Sequence, residues 1–244
     1  MNYIALDIET APLQISDEVV IDYQIRKRFK RNLHPAFARV VAVGLLLPGE
    51  DYPLTRSGAN EINLIKSTWD SIRKTSWDKL VTWNGLRFDI PFLKVRSRLL
   101  GITPNVSVDT SKYSSPEDSN HIDCMWLLQG ECNEIPPISL EIAARLFGIK
   151  YDESKKLTPL EISECFEAGK YSSIEECCSE DVKTTAKIFE KLLPTIGIKP
   201  LATKKQVSYI IDIAKKLNIE LDRPEVESWS KKEASEWIDK HKLT

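Results

Sequence analysis

Asp7 and Glu9 stand two residues apart behind the apolar run Tyr3-Ile4-Ala5-Leu6. On an extended chain residues i and i+2 share a face, so both carboxylates project together from the end of a predicted strand. Adjacent carboxylates repel unless a cation or a proton joins them, and the pair therefore reads as a metal site or as a strand end with solvated acids. Two further acids occupy positions of the same kind. Asp89 lies in Phe88-Asp89-Ile90-Pro91-Phe92-Leu93, where Pro91 suits the first turn of a helix continuing through Leu100, so Asp89 is a helix cap or a site acid. Asp181 lies on a long predicted helix among Val182, Ile188 and Phe189, on the same face as Cys177 four residues before it. A carboxylate midway along a packing helix needs a cation, hydrogen bonds or a solvent cleft, unless it is an exposed helix acid like most of its kind. Glu180, about a quarter-turn away, is assigned that exposed role.

The elements that must carry these acids follow from hydrophobic periodicity. Arg39 to Leu47 reads as a central strand, with Tyr52 to Arg56 as its hairpin partner across Pro48-Gly49. From Asn60 the positions Ile62, Leu64, Ile65, Trp69 and Ile72 recur at helical spacing. Leu80 to Trp83 follows as a short strand broken by Asn84-Gly85. Further helices are predicted at Asp17 to Asn32, Asp123 to Leu128, Ser139 to Phe147, Thr158 to Ala168 and Ser173 to Leu193, with Gly148 and Gly169 in C-terminal positions. The first of these carries Arg26, Lys27, Arg28, Lys30 and Arg31, a cluster that meets phosphates or forms a solvated face. Strands crowd the first half and helices the second. That order fits an α/β fold with a mixed sheet flanked by helices better than a doubly wound one, and no GxGxxG or GKT-type phosphate loop is present.

The chain has 244 residues, 42% hydrophobic and 29% charged, enough for one substantial core and a small appendage. A net charge of -2 gives no overall basic field, so nucleic-acid binding would rest on local patches. Five cysteines without CxxC spacing argue against a zinc ribbon or a disulfide framework and for reduced, mostly buried thiols. No stretch approaches the roughly 18 apolar residues of a membrane span, and no secretory signal pattern opens the chain, so the expected location is cytoplasmic, away from membranes.

Three blocks in order, Leu6 to Thr10, Val81 to Leu93 and Cys177 to Thr185, resemble the motifs of the DEDD 3'-5' exonucleases. The likeness is greatest to the branch related to the proofreading exonuclease domain of family B DNA polymerases. Ser139 to Gly148 and Glu167 to Lys170 are also similar to that branch, and the resemblance spans about residues 1 to 194. It implies a ribonuclease H-like sheet on which Asp7, Glu9, Asp89 and Asp181 converge on two divalent cations, Mg2+ or Mn2+. By the same resemblance Asp7 bridges the ions, Glu9 and Asp181 hold one, and Asp89 stands on the other side. Two such ions, roughly 4 Å apart, would offset the repulsion among four carboxylates and clamp an in-line phosphoryl displacement.

One position departs from that branch. Where it carries the Tyr that hydrogen-bonds the attacking water, this chain has Cys177, and where the sister group has His, it has Glu176. A thiol is a weak hydrogen-bonding group, and a missing positioning group costs about 10²- to 10⁴-fold in rate. On that reading Cys177→Tyr accelerates hydrolysis; otherwise Cys177 is a small buried residue and Tyr171 or Glu180 takes over. Asn84 orients a ligand or the substrate sugar, or is a turn residue before Gly85. Trp83 and Phe88 stack a terminal base or pack in the core. Asp123 is expected to cap a helix.

Beyond Pro200, the capping boxes Thr203 to Gln206 and Ser230 to Glu233 open two predicted helices, Thr203 to Leu217 and Lys231 to His241. From Lys199 onward ten Lys and Arg face eight Asp and Glu, a mild basic surplus that permits phosphate contact. The expected organisation is a catalytic domain over residues 1–198 and a helical module over 199–244 that binds nucleic acid or a replication or repair protein. The expected activity is trimming of DNA 3' ends, preferentially single-stranded, to nucleoside monophosphates. RNA trimming and a catalytically weakened nucleic-acid-binding domain are the alternatives.

Overall fold

The computed structural model describes residues 1–27, 33–196 and 202–241; the side chains of the basic cluster from Arg26 to Arg31 lie outside the described residues. Its centre is a five-stranded mixed sheet in the order β3-β2-β1-β4-β5. The first strand, β1 (Tyr3–Pro12), pairs antiparallel with β2 (Ala38–Leu46), which pairs antiparallel with β3 (Leu54–Ser57). On its other side β1 runs parallel to β4 (Lys79–Thr82), and β4 runs parallel to β5 (His121–Asp123). This is the mixed sheet flanked by helices that the ribonuclease H-like resemblance implies. β5 was not expected, because three residues running straight into a helix leave no alternation to detect.

The period-two alternation of β1 assigns its two faces. Ile4, Leu6 and Ile8 pack with Ile65, Trp69 and Ile72 of α2 (Glu61–Lys74) and with Ile90, Phe92 and Leu93 of α3 (Asp89–Leu99). Ala5 packs instead on Val182 and Ala186 of the long helix α7 (Tyr171–Leu192), while Ala11 joins Ile174 and Cys177 of that helix. Asp7 and Glu9 share this second face, so the same 22-residue helix that covers the sheet also covers the two acids. A register shift between Glu9 and Thr10 marks a bulge directly after the second acid, where a bulged strand twists and re-aims its side chains.

Gly44 makes the close approach of α7 possible. It pairs with Asp7 across the β1–β2 ladder, and a Cβ at Gly44 would lie 2.8 Å from Val182 Cγ2 and 3.0 Å from Cys178 Sγ. Gly44→Ala is therefore expected to push α7 outward at the turn bearing Asp181 and to destabilise the fold by roughly 1–3 kcal/mol, as overpacking does. Thermal melting should register this as a fall of about 3–10 °C, and an unchanged midpoint would refute the constraint.

The remaining helices are α1 (Glu18–Lys27), α4 (Cys124–Leu128), α5 (Leu140–Leu146) and α6 (Pro159–Glu167), the last opened by a complete Thr158–Glu161 capping box. Beyond them, α8 (Lys204–Leu217), α9 (Arg223–Glu227) and α10 (Lys231–His241) close a small core of their own around Val207, Ile210, Val226 and Ala234. Both capping boxes read from the sequence are formed, Thr203 with Gln206 and Ser230 with Glu233. α9 was not anticipated; it is only five residues long. Among the described residues no helix is long and apolar enough to cross a membrane.

Candidate metal centre

The structure brings Asp7, Glu9, Asp89 and Asp181 together over the middle of β1, which runs on to Pro12 and does not end at the acids as the sequence suggested, because pairing with β2 continues past the bulge. Asp89 is the first residue of α3, but its side chain makes no cap; it turns back so that Oδ1 accepts the backbone N–H of Ile8, between the two β1 acids, at 3.2 Å. It is 3% exposed. From α7, Cys178 Sγ lies 3.3 Å from Asp7 Oδ2 and Cys177 Sγ lies 3.5 Å from Glu9 Oε1. Ligand atoms of Glu9, Cys177 and Asp181 fall within 4.8 Å of one another.

The electrostatics of the cluster are those of crowded like charges, with Lys156 acting weakly on Asp181. Asp7 is held well above the ordinary carboxylate range, first by burial and then by Glu9, Asp89 and Asp181. Glu9 is pushed up to about 8 by burial and by Asp181, against the Cys177 thiol, which lowers it. Asp89 is pushed up to about 7 by burial, although backbone donors pull it back, and Asp181 to about 6 by burial against the Tyr151 hydroxyl. Among the described residues no Lys or Arg forms an ion pair with any of the four. Four desolvated oxygen donors in no ion pair fit hard divalent ions. Burial first, then Glu9 and Asp181, raises the Cys177 thiol, which keeps it a neutral donor toward Glu9.

A second acid sets the loop between β4 and α3. Asp123 caps α4, its Oδ1 accepting from Met125 N at 3.0 Å and Trp126 N at 3.2 Å. The same carboxylate accepts the backbone N–H of Asn84 at 2.9 Å and of Leu86 at 3.1 Å. The cap was legible in sequence; the clamp was not, since its partners lie 37 and 39 residues away. Asn84 adopts φ 64°, in the left-handed region that Asn tolerates, and its side-chain Oδ1 is buried without a protein partner. At Gly85 a Cβ would sit 2.2 Å from Thr82 Oγ1, so glycine is required to turn the chain toward Asp89. Trp83 packs against the core around Phe189, and Phe88 packs on Phe92 with ring centroids 5.4 Å apart; both stay half-buried.

Two expectations are corrected. Glu180 is not a solvated acid: it is half-buried and accepts the backbone N–H of Asp152 at 3.2 Å. Tyr171 starts α7 with its ring on Phe166, and ten residues of helix, about 15 Å, separate it from Asp181. The hydroxyl that does reach the cluster belongs to Tyr151, which donates to Asp181 Oδ1 at 2.9 Å. Nothing in the sequence singled it out, because it lies outside the three motif blocks and 30 residues before its partner.

Comparison with known proteins agrees with the fold and with the family resemblance. Residues 32–232 match a family described as predicted 3'-5' exonuclease related to the exonuclease domain of PolB. The match starts beyond Asp7 and Glu9 and runs into the C-terminal helices. DNA polymerase 1 of Pyrococcus abyssi is 28% identical over 156 residues, covering 59% of this chain and 20% of the polymerase. A DNA polymerase of Pyrococcus glycovorans is 26% identical over a stretch of the same length and coverage. The chain thus matches about a fifth of the length of these relatives. The solved family B DNA polymerase of the hyperthermophilic archaeon Pyrobaculum calidifontis shares the fold with a TM-score of 0.61 at 19% identity, over 97% of this chain and 28% of that one.

Proposed function

The chain belongs to the family of predicted 3'-5' exonucleases related to the exonuclease domain of PolB, and from that membership we propose that it hydrolyses the terminal phosphodiester of DNA 3' ends, preferentially single-stranded, releasing nucleoside monophosphates. The observation that carries the proposal is the convergence of four desolvated carboxylates from β1, α3 and α7, none of them in an ion pair with Lys or Arg among the described residues. Asp7, Glu9, Asp89 and Asp181 would hold two divalent ions, Mg2+ or Mn2+, which when bound lower the pKa of water and supply positive charge opposite the phosphate.

The chain's own groups do the positioning. The Cys177 and Cys178 thiols fix the Glu9 and Asp7 carboxylates from the helix side. Asn84 presents a buried amide oxygen at the strand end, suited to a donor on the terminal sugar. Trp83 and Phe88 offer half-buried ring faces on which a terminal base can stack. A labelled 3'-tailed DNA and the matching RNA, incubated with Mg2+, Mn2+ or a chelator, test the proposal. Metal-dependent release of mononucleotides from DNA supports it. Faster release from RNA would reassign the substrate, and metal-dependent binding without release would make the chain a weakened binding domain.

Residues 199–244 we assign to a separate helical module that touches phosphates. Its link to the sheet includes the Lys205–Asp51 pair at 2.7 Å, which is exposed on both sides and contributes little to holding it. Removing residues 199–244 should weaken single-stranded DNA binding and flatten its dependence on salt, measured by fluorescence anisotropy across a salt series. Unchanged affinity and slope would point to docking of a replication or repair protein instead.

A further inference from the structure

Among the described residues, the side chains hydrogen-bonded to a cluster carboxylate are Cys177 and Cys178 of α7 and the Tyr151 phenol. Tyr151 follows α5 on a segment fixed at both ends. Ile149 N–H donates to Ala144 O at 2.8 Å and its side chain packs into the core around Phe189. Asp152 N–H is held by Glu180, and the Asp152 carboxylate accepts from Ser154 N at 3.2 Å and Ser154 Oγ at 2.6 Å. Lys156 closes the segment on Glu141 at 2.6 Å. The phenol is thus delivered to Asp181 by a braced loop, which makes its position a built feature.

The other groups that could order a water at Asp181 are already engaged. Cys177 is 3% exposed, packed among Ala11, Val41, Ala42, Ile162 and Ile174, with its thiol on Glu9. A tyrosine at that position would overpack this cluster, so Cys177→Tyr is expected to destabilise the protein, contrary to the simple sequence expectation. Glu180 holds the loop, and Tyr171 lies elsewhere. A phenol combines one donor with two acceptor lone pairs, so it can serve a carboxylate and a water at once.

We propose that Tyr151 orients the attacking water, donating its O–H to Asp181 while its oxygen accepts a hydrogen bond from that water. The inference rests on the exonuclease reading above. In the step, the water oxygen forms a new bond to phosphorus and the bond from phosphorus to the 3' oxygen of the penultimate nucleotide breaks. The water loses a proton to solvent and the leaving oxygen gains one, so a 5'-monophosphate and a 3'-hydroxyl end result. Tyr151 neither gains nor loses a proton overall.

The test compares wild type, Tyr151→Phe and Tyr171→Phe by kcat and KM on single-stranded DNA with Mn2+, by Mn2+ affinity from titration calorimetry, and by DNA affinity in Ca2+. Tyr151→Phe should lower kcat about 10²- to 10³-fold while KM, Mn2+ affinity and DNA affinity stay within about threefold, and Tyr171→Phe, whose ring lies on Phe166 away from the cluster, should stay within about threefold throughout. Wild-type kcat in Tyr151→Phe, with wild type active, would overturn the role of Tyr151 and leave the nuclease reading intact. A parallel loss of Mn2+ affinity would overturn it in favour of mere support of Asp181, and an equal kcat loss in Tyr171→Phe would overturn it by showing that a phenol remote from the cluster has the same effect. If wild type releases no nucleotide at all, both readings fall.

Discussion

Asp7→Asn is expected to lower nucleotide release by at least about 10³-fold, roughly 4 kcal/mol in the barrier, while raising the melting temperature of the metal-free protein. The two effects have one cause. Asp7 is pressed by burial and by three other carboxylates, and the asparagine keeps its shape while removing the charge they repel. The same charge would hold the cations, so function and metal-free stability oppose each other at this residue. A gain of roughly 1–2 kcal/mol, the usual yield of relieving such a site, corresponds to a rise of about 3–6 °C in chelator. The difference should shrink or reverse once Mn2+ is added, because only the parent chain gains from the ion. A lower melting point in chelator would show that Asp7 is not strained by its neighbours, and retained release would remove it from the chemistry.

What the sequence discloses and what it conceals divide along the range of the interactions. Asp7 and Glu9 are legible because the two-residue period of a strand is local, and the helix bearing Asp181 is legible because apolar residues recur along it at helical spacing. Capping boxes at Thr203 and Ser230 are likewise complete within four residues. Asp89 was ambiguous for the same reason: locally it looks like a cap, and only the β1 backbone, 81 residues away, reveals where its carboxylate goes. Tyr151, the Asp123 clamp and the Glu180 anchor were invisible because each joins segments whose proximity is a product of packing. Gly44 reads as an ordinary glycine in an apolar run until α7 is laid over it. The resemblance to family B exonuclease domains supplied the grouping that periodicity could not.

The four acids also fix how stability should depend on pH, and His121 sets the window in which to look. Burial lowers His121 to about 4, so below its ordinary value of 6.5 the unfolded chain takes up protons that the folded chain refuses, and stability falls toward acid. Above pH 6.5 that contribution is silent. There Glu9 and Asp89, at about 8 and about 7 when folded against 4.5 and 3.8 ordinarily, still hold protons that the unfolded chain has released. Raised folded values mean stability that is complete below the ordinary values and lost as pH climbs through the folded ones, so the metal-free protein should weaken between pH 6.5 and 8.5. A decline of about 3–8 °C in melting temperature, followed by scanning fluorimetry in chelator, is expected. Divalent cations should replace the protons: Mn2+ should flatten the decline, and calorimetry near pH 7 in buffers of different ionisation enthalpy should show proton release on binding. Asp7→Asn should flatten the decline even in chelator, since its removal lowers the field that keeps Glu9 protonated. A melting temperature that is level or rises from pH 6.5 to 8.5 without metal would mean that these carboxylates are not forced together, and the case for a shared cation site would fail with it.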